Sequence, residues 1–351
     1  MISEQPRLEL GDSDRNRELA TAAQEILGRY QARIVDGLLA ATGLLPPEML
    51  EPARYHLGLQ PGARPGKALR PTLTMILAEG LGGPPGWAEP LGAAVQLVHD
   101  FSLVHDDIVD EDLARRGRPA LWVKEGMPTA LNTGDALLTA AFLVISGSAV
   151  PAEVARLACA SLGRATLEMV GGQQSDIAAT GAPPAELSAY LRMVELKTGA
   201  LLGAAAAMGA IAAGRAADTV SACEAFGRTL GIAFQLRDDT LGVFGDSDQT
   251  GKPVGNDLLR GKQGLPLLLA IRANGDLGET ARSWLLPGGL PAPGLGAAVA
   301  LLRERGVAER CQGLTSTWTE RALVAAAKLP LESRVAAEVE LLCRWLGERW
   351  S

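Results

Sequence analysis

The chain has 351 residues, enough for one large domain or two small ones, each with a sizeable core. Hydrophobic residues make up 47% of it but aromatic residues only 4%, so the apolar content is mainly alanine, leucine and valine, which favours an all-α fold. A formal net charge of −7 argues against a general nucleic-acid surface and against binding to an anionic membrane surface.

Helical periodicity dominates along the chain, and strand-like alternation is scarce. Proline- and glycine-rich segments interrupt it at 43–49, 61–66, 80–90, 180–184 and 286–296. The pattern between them predicts helices at roughly 16–42, 68–79, 90–111, 130–146, 152–176, 186–213, 219–244 and 263–275. We therefore predict one all-α domain over residues 1–351, with a polar tail at 1–15, a flexible loop at 286–296 and a looser portion beyond that loop.

Three features predict a cytoplasmic protein without membrane insertion. The N-terminal segment is polar and lacks the apolar stretch of a signal peptide. The four cysteines are widely separated, which favours reduced thiols over disulfides or a zinc site. The longest uncharged run, 198–214, is short and only weakly apolar for a membrane span, so we interpret it as a core helix.

An acidic cluster, DDIVDED, begins at residue 106 within a mostly apolar helical segment. Helical spacing of three and four residues lets Asp106, Asp107 and Asp110 converge on one face, where their charges repel one another. A hard cation such as Mg²⁺ would neutralise them. For an isolated motif of this kind a solvated acidic helix end is the commoner explanation, but the apolar flanks favour a partly buried site.

A second acidic pair, Asp238 and Asp239, lies in another predicted helix within FQLRDDTLGVFGD. Two helices that face each other across a bundle core are a common way to build a metal site. The sequence alone does not show that these two do so.

Basic residues near helix ends and glycines could bind phosphate groups. Each one taken alone is more typical of a surface cation, and only the set indicates a polyphosphate site. The set consists of Lys67, Arg70, Arg115, Arg116, Lys197, Lys252 and Lys262.

Several motifs in a fixed order over roughly residues 60–270 carry a specific family resemblance. They are GKALRP, LVHDFSLVHDDIVDEDLARRGRP, NTGDALL, GGQQSDI, LKTG, GIAFQLRDD and TGKPVGNDLLRGKQGLP. Together they resemble the trans-isoprenyl diphosphate synthases, also called polyprenyl synthetases. The last eighty residues contribute little to this resemblance.

The resemblance implies a helical bundle around a deep central cavity, with two aspartate-rich helices at its mouth. It implies head-to-tail condensation of isopentenyl diphosphate with an allylic diphosphate (dimethylallyl, geranyl or farnesyl), release of pyrophosphate, three Mg²⁺ ions with substrate bound, and a homodimer.

Residue roles follow from the same resemblance. Catalysis and metal binding fall to Asp106, Asp107, Asp110 and Asp238, and Lys197 is also counted as catalytic. The allylic diphosphate would be bound by Arg115, Lys197, Thr198, Gln235, Lys252 and Lys262. The metal-free isopentenyl diphosphate site would be formed by Lys67, Arg70, His99 and Arg116.

This sequence departs from the family pattern at three places. Gly242 stands where a last aspartate is common in the second motif, which puts one outer metal contact in doubt. Pro65-Gly66 replaces a common glycine pair, and Gly264 stands where threonine is frequent.

Product length is predicted from Phe101 and Ser102, just before the first aspartates. Phe101 lies five residues before Asp106, about 7.5 Å deeper along a helix that rises 1.5 Å per residue, so its ring could stop a growing chain. In the family, an aromatic followed by a small residue here resembles short-chain synthases, which predicts a C20 product, with C15 as the alternative. Ordinary core packing is the other interpretation of Phe101.

Two other functions remain open from the sequence. A class I terpene cyclase also ionises a prenyl diphosphate with Mg²⁺, but the second acidic helix lacks the residues typical of that class, and a second diphosphate site is indicated. A non-catalytic regulatory subunit would fit the missing aspartate at position 242, although the first aspartate motif is complete.

Overall fold

The computed structural model describes residues 13–63, 66–245, 255–286 and 289–348. Its helices are α1 (Ser13–Thr42), α2 (Pro47–Leu57), α3 (Leu69–Gly80), α4 (Ala88–Val109), α5 (Leu121–Glu125), α6 (Met127–Ser146), α7 (Ala152–Ala179), α8 (Leu187–Val194), α9 (Ala200–Ala212), α10 (Ala217–Phe244), α11 (Asn256–Leu259), α12 (Leu265–Ile271), α13 (Asp276–Ser283), α14 (Leu295–Glu304), α15 (Val307–Ala326) and α16 (Ser333–Glu348).

Three short elements complete these segments. A π-helix, Glu195–Gly199, joins α8 to α9, and a 3₁₀ turn, Ala292–Gly294, precedes α14. An antiparallel ribbon pairs β1 (Ala114–Arg115) with β2 (Arg118–Pro119) directly after α4. The all-α prediction is confirmed. The ribbon, α2, α5, α11 and the four helices after residue 275 lie outside the segments named from the sequence pattern.

Helix α9 is the centre of the core, because every residue from Ala200 to Ala212 is buried. Burying each of its leucine side chains stabilises the fold by about 1.5–3 kcal/mol. The core-helix interpretation of the uncharged run is therefore confirmed. By length and composition alone, two segments of the described chain could cross a membrane: Leu187–Ala212, which is 83% buried, and Met127–Ser146, which is 39% buried.

The C-terminal helices are well packed, which corrects the expectation of a looser portion beyond 286–296. Helix α16 buries Val335, Val339 and Leu342 in the main hydrophobic cluster together with residues of α1, α3 and α4. Helices α14 and α15 bury Leu302 and Cys311 in a second cluster, to which α10 also contributes. The four cysteines are free thiols, in agreement with their spacing.

Candidate active site

The first aspartate motif lies at the C-terminal end of α4. The dipole of a helix is negative at this end, and the last turn of α4 has no basic residue to balance it. Burial raises the pKa of the Asp106 carboxyl; Lys197 opposes that shift, and repulsion by Asp110 adds to it. This end of α4 therefore favours the binding of cations.

Asp107 has a different environment from its two neighbours in the motif. Its side chain is only 1% exposed, and its carboxylate accepts hydrogen bonds from Arg115 Nε at 2.9 and 3.2 Å and from Arg115 Nη2. Arg115 lies on β1 and is also 3.8 Å from Asp112. Asp107 thus fixes the ribbon and its arginine against the end of α4.

Two lysines lie close to the acidic end of α4. The Nζ of Lys262 is 3.7 Å from Asp110 Oδ2 and 3.5 Å from Asp176 Oδ2. The Nζ of Lys197 donates a hydrogen bond to the same oxygen of Asp176 at 2.7 Å. Arg260 adds a further ion pair with Asp112 at 3.2 Å. Arg260 and Lys262 therefore hold the segment that follows α11 against the first aspartate motif.

The π-helix explains why Lys197 and Thr198 point into the site. A π-helical turn inserts one extra residue and is frequent at functional sites. It packs directly on α7, because a Cβ built on Gly172 would lie 2.3 Å from the backbone nitrogen of Lys197. No side chain fits there, so the glycine in GGQQSDI permits this close approach.

Glycines also bring α10 close to α9 and the π-helix. A Cβ on Gly227 would lie 2.3 Å from Leu202 O, and one on Gly231 would lie 2.6 Å from the Cα of Gly199. One turn further along α10, Gln235 accepts a hydrogen bond from Thr198 Oγ1 at 2.7 Å. The predicted pair of Thr198 and Gln235 is therefore in direct contact.

The second aspartate pair is divided between two roles. Asp239 accepts hydrogen bonds from Tyr190 Oη at 2.6 Å, Gln235 Nε2 at 2.8 Å and the backbone nitrogen of Leu265 at 3.1 Å. The last of these satisfies the backbone N–H of the first residue of α12, which has no partner within the helix. Asp239 therefore joins α8, α10 and α12, and all of these bonds lie within the protein.

Asp238 lies next to it with a side chain that is 44% exposed. The surrounding protein nevertheless raises the pKa of its carboxyl to about 6, with Arg237 opposing the shift and Asp239 adding to it. Lys67 and Arg70 also lower this pKa in part. Asp238 is thus an accessible carboxylate with several cations nearby.

Two departures from the family pattern have local explanations. A Cβ on Gly242 would be 3.7 Å from Asp257 Oδ2, so a carboxylate from the next segment already lies beside this position. A Cβ on Gly264 would be 3.1 Å from Asp239 Oδ2, which leaves little room for a threonine. Pro65 lies outside the described residues, and a Cβ on Gly66 would be 3.0 Å from Arg116 Nη2.

The residues predicted to bind isopentenyl diphosphate lie around α3, the middle of α4 and the ribbon. Burial lowers the pKa of Arg70 to about 10, although Asp100 on α4 and Asp238 on α10 both oppose that shift. The Nε of Arg70 is buried and has no hydrogen-bond partner among the described residues. Arg70 therefore lies between the two aspartate helices, with capacity to bind an anion.

The other residues predicted to bind isopentenyl diphosphate already make contacts within the protein. Arg116 Nη2 pairs with the buried Asp100 at 2.9 Å, and Lys67 Nζ lies 5.6 Å from the centre of the Trp345 ring. Burial lowers the pKa of His99 well below its ordinary value, and Arg70 adds to that effect. His99 is therefore neutral at pH 7 and would act as a hydrogen-bonding group rather than as a cation.

Phe101 belongs to the main hydrophobic cluster and is 8% exposed. Its ring meets His105 edge-on, with centroids 4.9 Å apart. His105 in turn covers Gly134 on α6, where a Cβ would lie 2.4 Å from its Nε2. The half-buried Ser102 donates a hydrogen bond to His99 O at 2.7 Å. Phe101 thus contributes to core packing one and a half turns below Asp106.

Most predicted site residues are brought into this one region, and Lys252 lies outside the described residues. No role was predicted for Asp176, Tyr190 or Asp100, and Asp239 was predicted only as half of an acidic pair. Asp176, Asp239 and Asp100 hold the predicted site residues Lys197, Gln235 and Arg116, and Tyr190 holds Asp239 in turn. Asp100, Asp176 and Asp239 each stood within a motif that the sequence analysis quoted, whereas Tyr190 carried no such signal.

The acidic residues could bind Mg²⁺ if phosphate oxygens of the substrate supplied the remaining ligands. Across the described segments, no three acidic, histidine or cysteine side chains form a ready-made metal site. Mg²⁺ is typically bound by one or two carboxylates together with water and substrate phosphates. Asp106, Asp110 and Asp238 supply partly exposed oxygen donors of this kind, whereas Asp107 and Asp239 are engaged by protein groups.

Comparison with known proteins agrees with this geometry. The polyprenyl synthetase family model matches residues 49–285. A geranylgeranyl diphosphate synthase of Mycobacterium tuberculosis is 38% identical over 305 residues, covering 83% of this chain and 85% of that protein. A (2E,6E)-farnesyl diphosphate synthase of Mycobacterium bovis is 39% identical over 281 residues, covering 78% and 77%.

Solved structures show the same fold. The polyprenyl synthetase of Streptomyces coelicolor A3(2) superposes with a TM-score of 0.83 at 32% identity, covering 92% of this chain and 98% of that one. The match to the family model spans both aspartate helices and the lysines between them. The chain therefore belongs to the polyprenyl synthetase family, the trans-isoprenyl diphosphate synthases that its motifs resemble.

Proposed function

We propose that this short-chain isoprenyl diphosphate synthase, a prenyltransferase, is Mg²⁺-dependent and makes geranylgeranyl diphosphate (C20) from isopentenyl diphosphate and allylic diphosphates. Farnesyl diphosphate (C15) is the alternative product. The observation that carries the proposal is the pairing of one accessible carboxylate on each aspartate helix, Asp106 and Asp238, with lysines and arginines around both.

Asp106, Asp110 and Asp238 would hold Mg²⁺. When bound, Mg²⁺ neutralises the negative charge that develops as the diphosphate leaves. Three ions with substrate bound, and Asp107 as a further ligand, were predicted from the resemblance. We now propose that Asp107 acts through Arg115 instead, since that arginine occupies its carboxylate.

Cations and polar groups of the chain would bind the allylic diphosphate. Arg115, Lys197 and Lys262 lie around the first motif, and Thr198 and Gln235 extend the site towards α10. Preorganised positive groups favour departure of the diphosphate because they stabilise its charge in the transition state. Lys252, which lies outside the described residues, stays a prediction for the same role.

Isopentenyl diphosphate would bind beside Arg70. The unpartnered Nε of Arg70 provides a donor for a phosphate oxygen, and Lys67 and His99 lie near it. Arg116 is shared with Asp100 and would contribute in part. The double bond of this substrate attacks the allylic carbon, a proton is then lost, and pyrophosphate could accept it. The apolar wall formed by α9 would keep water away from the reacting carbon.

The direct test is incubation of the purified chain with Mg²⁺, isopentenyl diphosphate and each allylic primer, followed by identification of the prenyl alcohols. We expect a C20 alcohol with every primer. Failure to elongate any primer would overturn the proposal and favour a non-catalytic subunit. A cyclic hydrocarbon formed without consumption of isopentenyl diphosphate would favour a terpene cyclase.

Phe101 is proposed as the floor of the elongation pocket. Replacing Phe101 with Ala should shift the products to longer chains, because the ring that closes the end of the pocket would be removed. Leu97, buried one turn deeper on α4, gives a control: Leu97→Ala removes core volume at a position further from the aspartates. If the product of the Phe101 variant is unchanged, this ring serves only for packing.

We also propose a homodimer in the cytoplasm. Exposed apolar side chains on α6 and α7 support the dimer, including Leu143 at 49%, Leu167 at 75% and Val170 at 50% exposure. A double substitution, Leu167→Glu with Val170→Glu, should convert a dimer to a monomer in light scattering. The four free thiols support the cytoplasmic location.

A further inference from the structure

Asp176 on α7 is a buried carboxylate to which the reaction described so far gives no role. It is 8% exposed and lies in the GGQQSDI motif. Its Oδ2 is 2.7 Å from Lys197 Nζ and 3.5 Å from Lys262 Nζ. One oxygen atom therefore holds together two lysines from segments more than sixty residues apart.

Close backbone packing between α7 and the π-helix fixes the contact between Asp176 and Lys197. Gly172 lies one turn earlier on the same face of α7, and a Cβ there would be 2.3 Å from the Lys197 nitrogen. The π-helix and α7 are thus in backbone contact. The Lys197 side chain starts beside Asp176 and needs only to extend along α7 to reach it.

The two lysines have other acidic neighbours besides Asp176. Lys262 Nζ is 3.7 Å from Asp110 Oδ2, and Lys197 is the strongest charged neighbour of Asp106. If Asp176 lost its charge, the nearest anions for both lysines would be these two proposed Mg²⁺ ligands. An ammonium group on either carboxylate would compete with the metal.

The space beside this cluster is open to a ligand. A cavity of about 510 Å³ is lined by Asp110, Gln173, Asp176, Lys262 and other residues. The Oε1 of Gln173 is buried there without a hydrogen-bond partner among the described residues. A buried acceptor without a partner indicates that the site is completed by something that donates to it, such as metal-bound water.

We propose that Asp176 is a positioning residue of the allylic diphosphate site, which holds Lys197 and Lys262 as a cation pair and keeps them off Asp106 and Asp110. The inference rests on the proposed function for the identity of the substrate. In this role Asp176 acts through the two lysines and not directly on the reacting atoms. Its effect is to leave the metal ligands free and the two ammonium groups side by side.

The test compares three variants. Asp176→Asn keeps the shape and removes the charge, and Asp176→Glu keeps the charge. Asp276→Asn is the matched control, because Asp276 on α13 forms an exposed ion pair with Arg305 and is not a proposed site residue. Titration calorimetry with inorganic pyrophosphate and Mg²⁺ measures anion binding, and steady-state kinetics gives KM for each substrate.

We expect Asp176→Asn to weaken pyrophosphate binding by about tenfold, the effect of one lost charge-assisted hydrogen bond. The Mg²⁺ concentration needed for half-maximal binding should rise several-fold, since freed lysines compete for Asp106 and Asp110. KM for the allylic substrate should rise while KM for isopentenyl diphosphate stays within about twofold. Asp176→Glu should restore part of the binding, and Asp276→Asn should match the unmodified chain.

Two results would overturn the inference. If Asp176→Asn binds pyrophosphate as tightly as the unmodified chain or more tightly, Asp176 only competes with the ligand for the lysines. If KM for both substrates rises equally and the melting temperature falls, the residue serves general folding. Because pyrophosphate binding is measured without turnover, failure of the synthase assay would count against the proposed function and leave this test valid.

Discussion

The two aspartate motifs, one at the end of α4 and one near the end of α10, divide their work in the same way. In each, the first aspartate is partly exposed to solvent: Asp106 in one and Asp238 in the other. In each, the second is bound within the protein, Asp107 by Arg115 and Asp239 by Tyr190, Gln235 and a backbone amide. Neighbours on a helix point about 100° apart, so one can face the site while the other fixes it.

The motifs differ in what their second aspartate holds. Asp107 holds a cation, Arg115, which is itself part of the proposed diphosphate site. Asp239 holds neutral donors and the start of α12, so it contributes rigidity but brings no cation to the site. The third position differs as well, because Asp110 is present in the first motif and Gly242 replaces it in the second. In the first motif the inner aspartate therefore both fixes the structure and positions a cation, whereas in the second the inner aspartate only fixes the structure.

The largest expected effect comes from removing the accessible aspartate of the first motif. Asp106→Asn should lower the rate of product formation by about 10²–10³-fold, because a ligand for the metal at the leaving diphosphate is lost. Its melting temperature should be no lower than that of the unmodified chain, since burial disfavours this charge. The division of roles would not hold if Asp107→Asn reduced turnover equally without any loss of stability.

Removal of the inner aspartate should instead act on stability. Asp107→Asn should lower the free energy of unfolding by about 2–3 kcal/mol in urea titrations, because Arg115 loses its buried partner. Arg115→Lys is the companion variant: it keeps the charge, loses the two-pronged contact and should cost less. An unchanged unfolding midpoint for Asp107→Asn would contradict the structural role of this carboxylate.

We predict that ionisation of Asp238, which metal binding requires, lowers the stability of the fold. Its folded-state pKa of about 6 exceeds the ordinary value of 3.8, so the stability that the protonated group provides below about pH 4 is lost as the pH rises through 6. Asp238→Asn should therefore raise the melting temperature at pH 8 and change it little at pH 4. Thermal unfolding without metal measures this, and an equal gain at both pH values would exclude the charge as its cause.

The smallest effect is expected at the third position of the second motif. Gly242→Asp should fold, because a Cβ there meets Asp257 only at an ordinary contact distance of 3.7 Å. We expect Mg²⁺-dependent pyrophosphate binding to change by less than about threefold, since Asp257 already places a carboxylate beside this position. A large gain in affinity would show that the glycine leaves a real gap in the metal site.

The sequence predicted the parts of this site that depend on local spacing. The segments 90–111 and 219–244 form α4 and α10 almost as predicted, because their apolar periodicity is strong. It could not show which aspartate of each pair turns inward, since that depends on Arg115 in a two-residue ribbon and on Tyr190 nearly fifty residues before Asp239. Packing of α16 against α1 and α3 was also missed, because the glycine- and proline-rich segment before it resembles the start of a looser region.

The π-helix at Glu195–Gly199 has a consequence for how such a site can be gained or lost. Deleting one residue, for example Leu196, would let α8 and α9 join as one regular α-helix and would rotate α8 by about 100° relative to α9. Tyr190 would then turn away from Asp239, although every functional side chain would still be encoded. A single three-base insertion or deletion at this point during evolution could therefore create or abolish the contact between Tyr190 and Asp239.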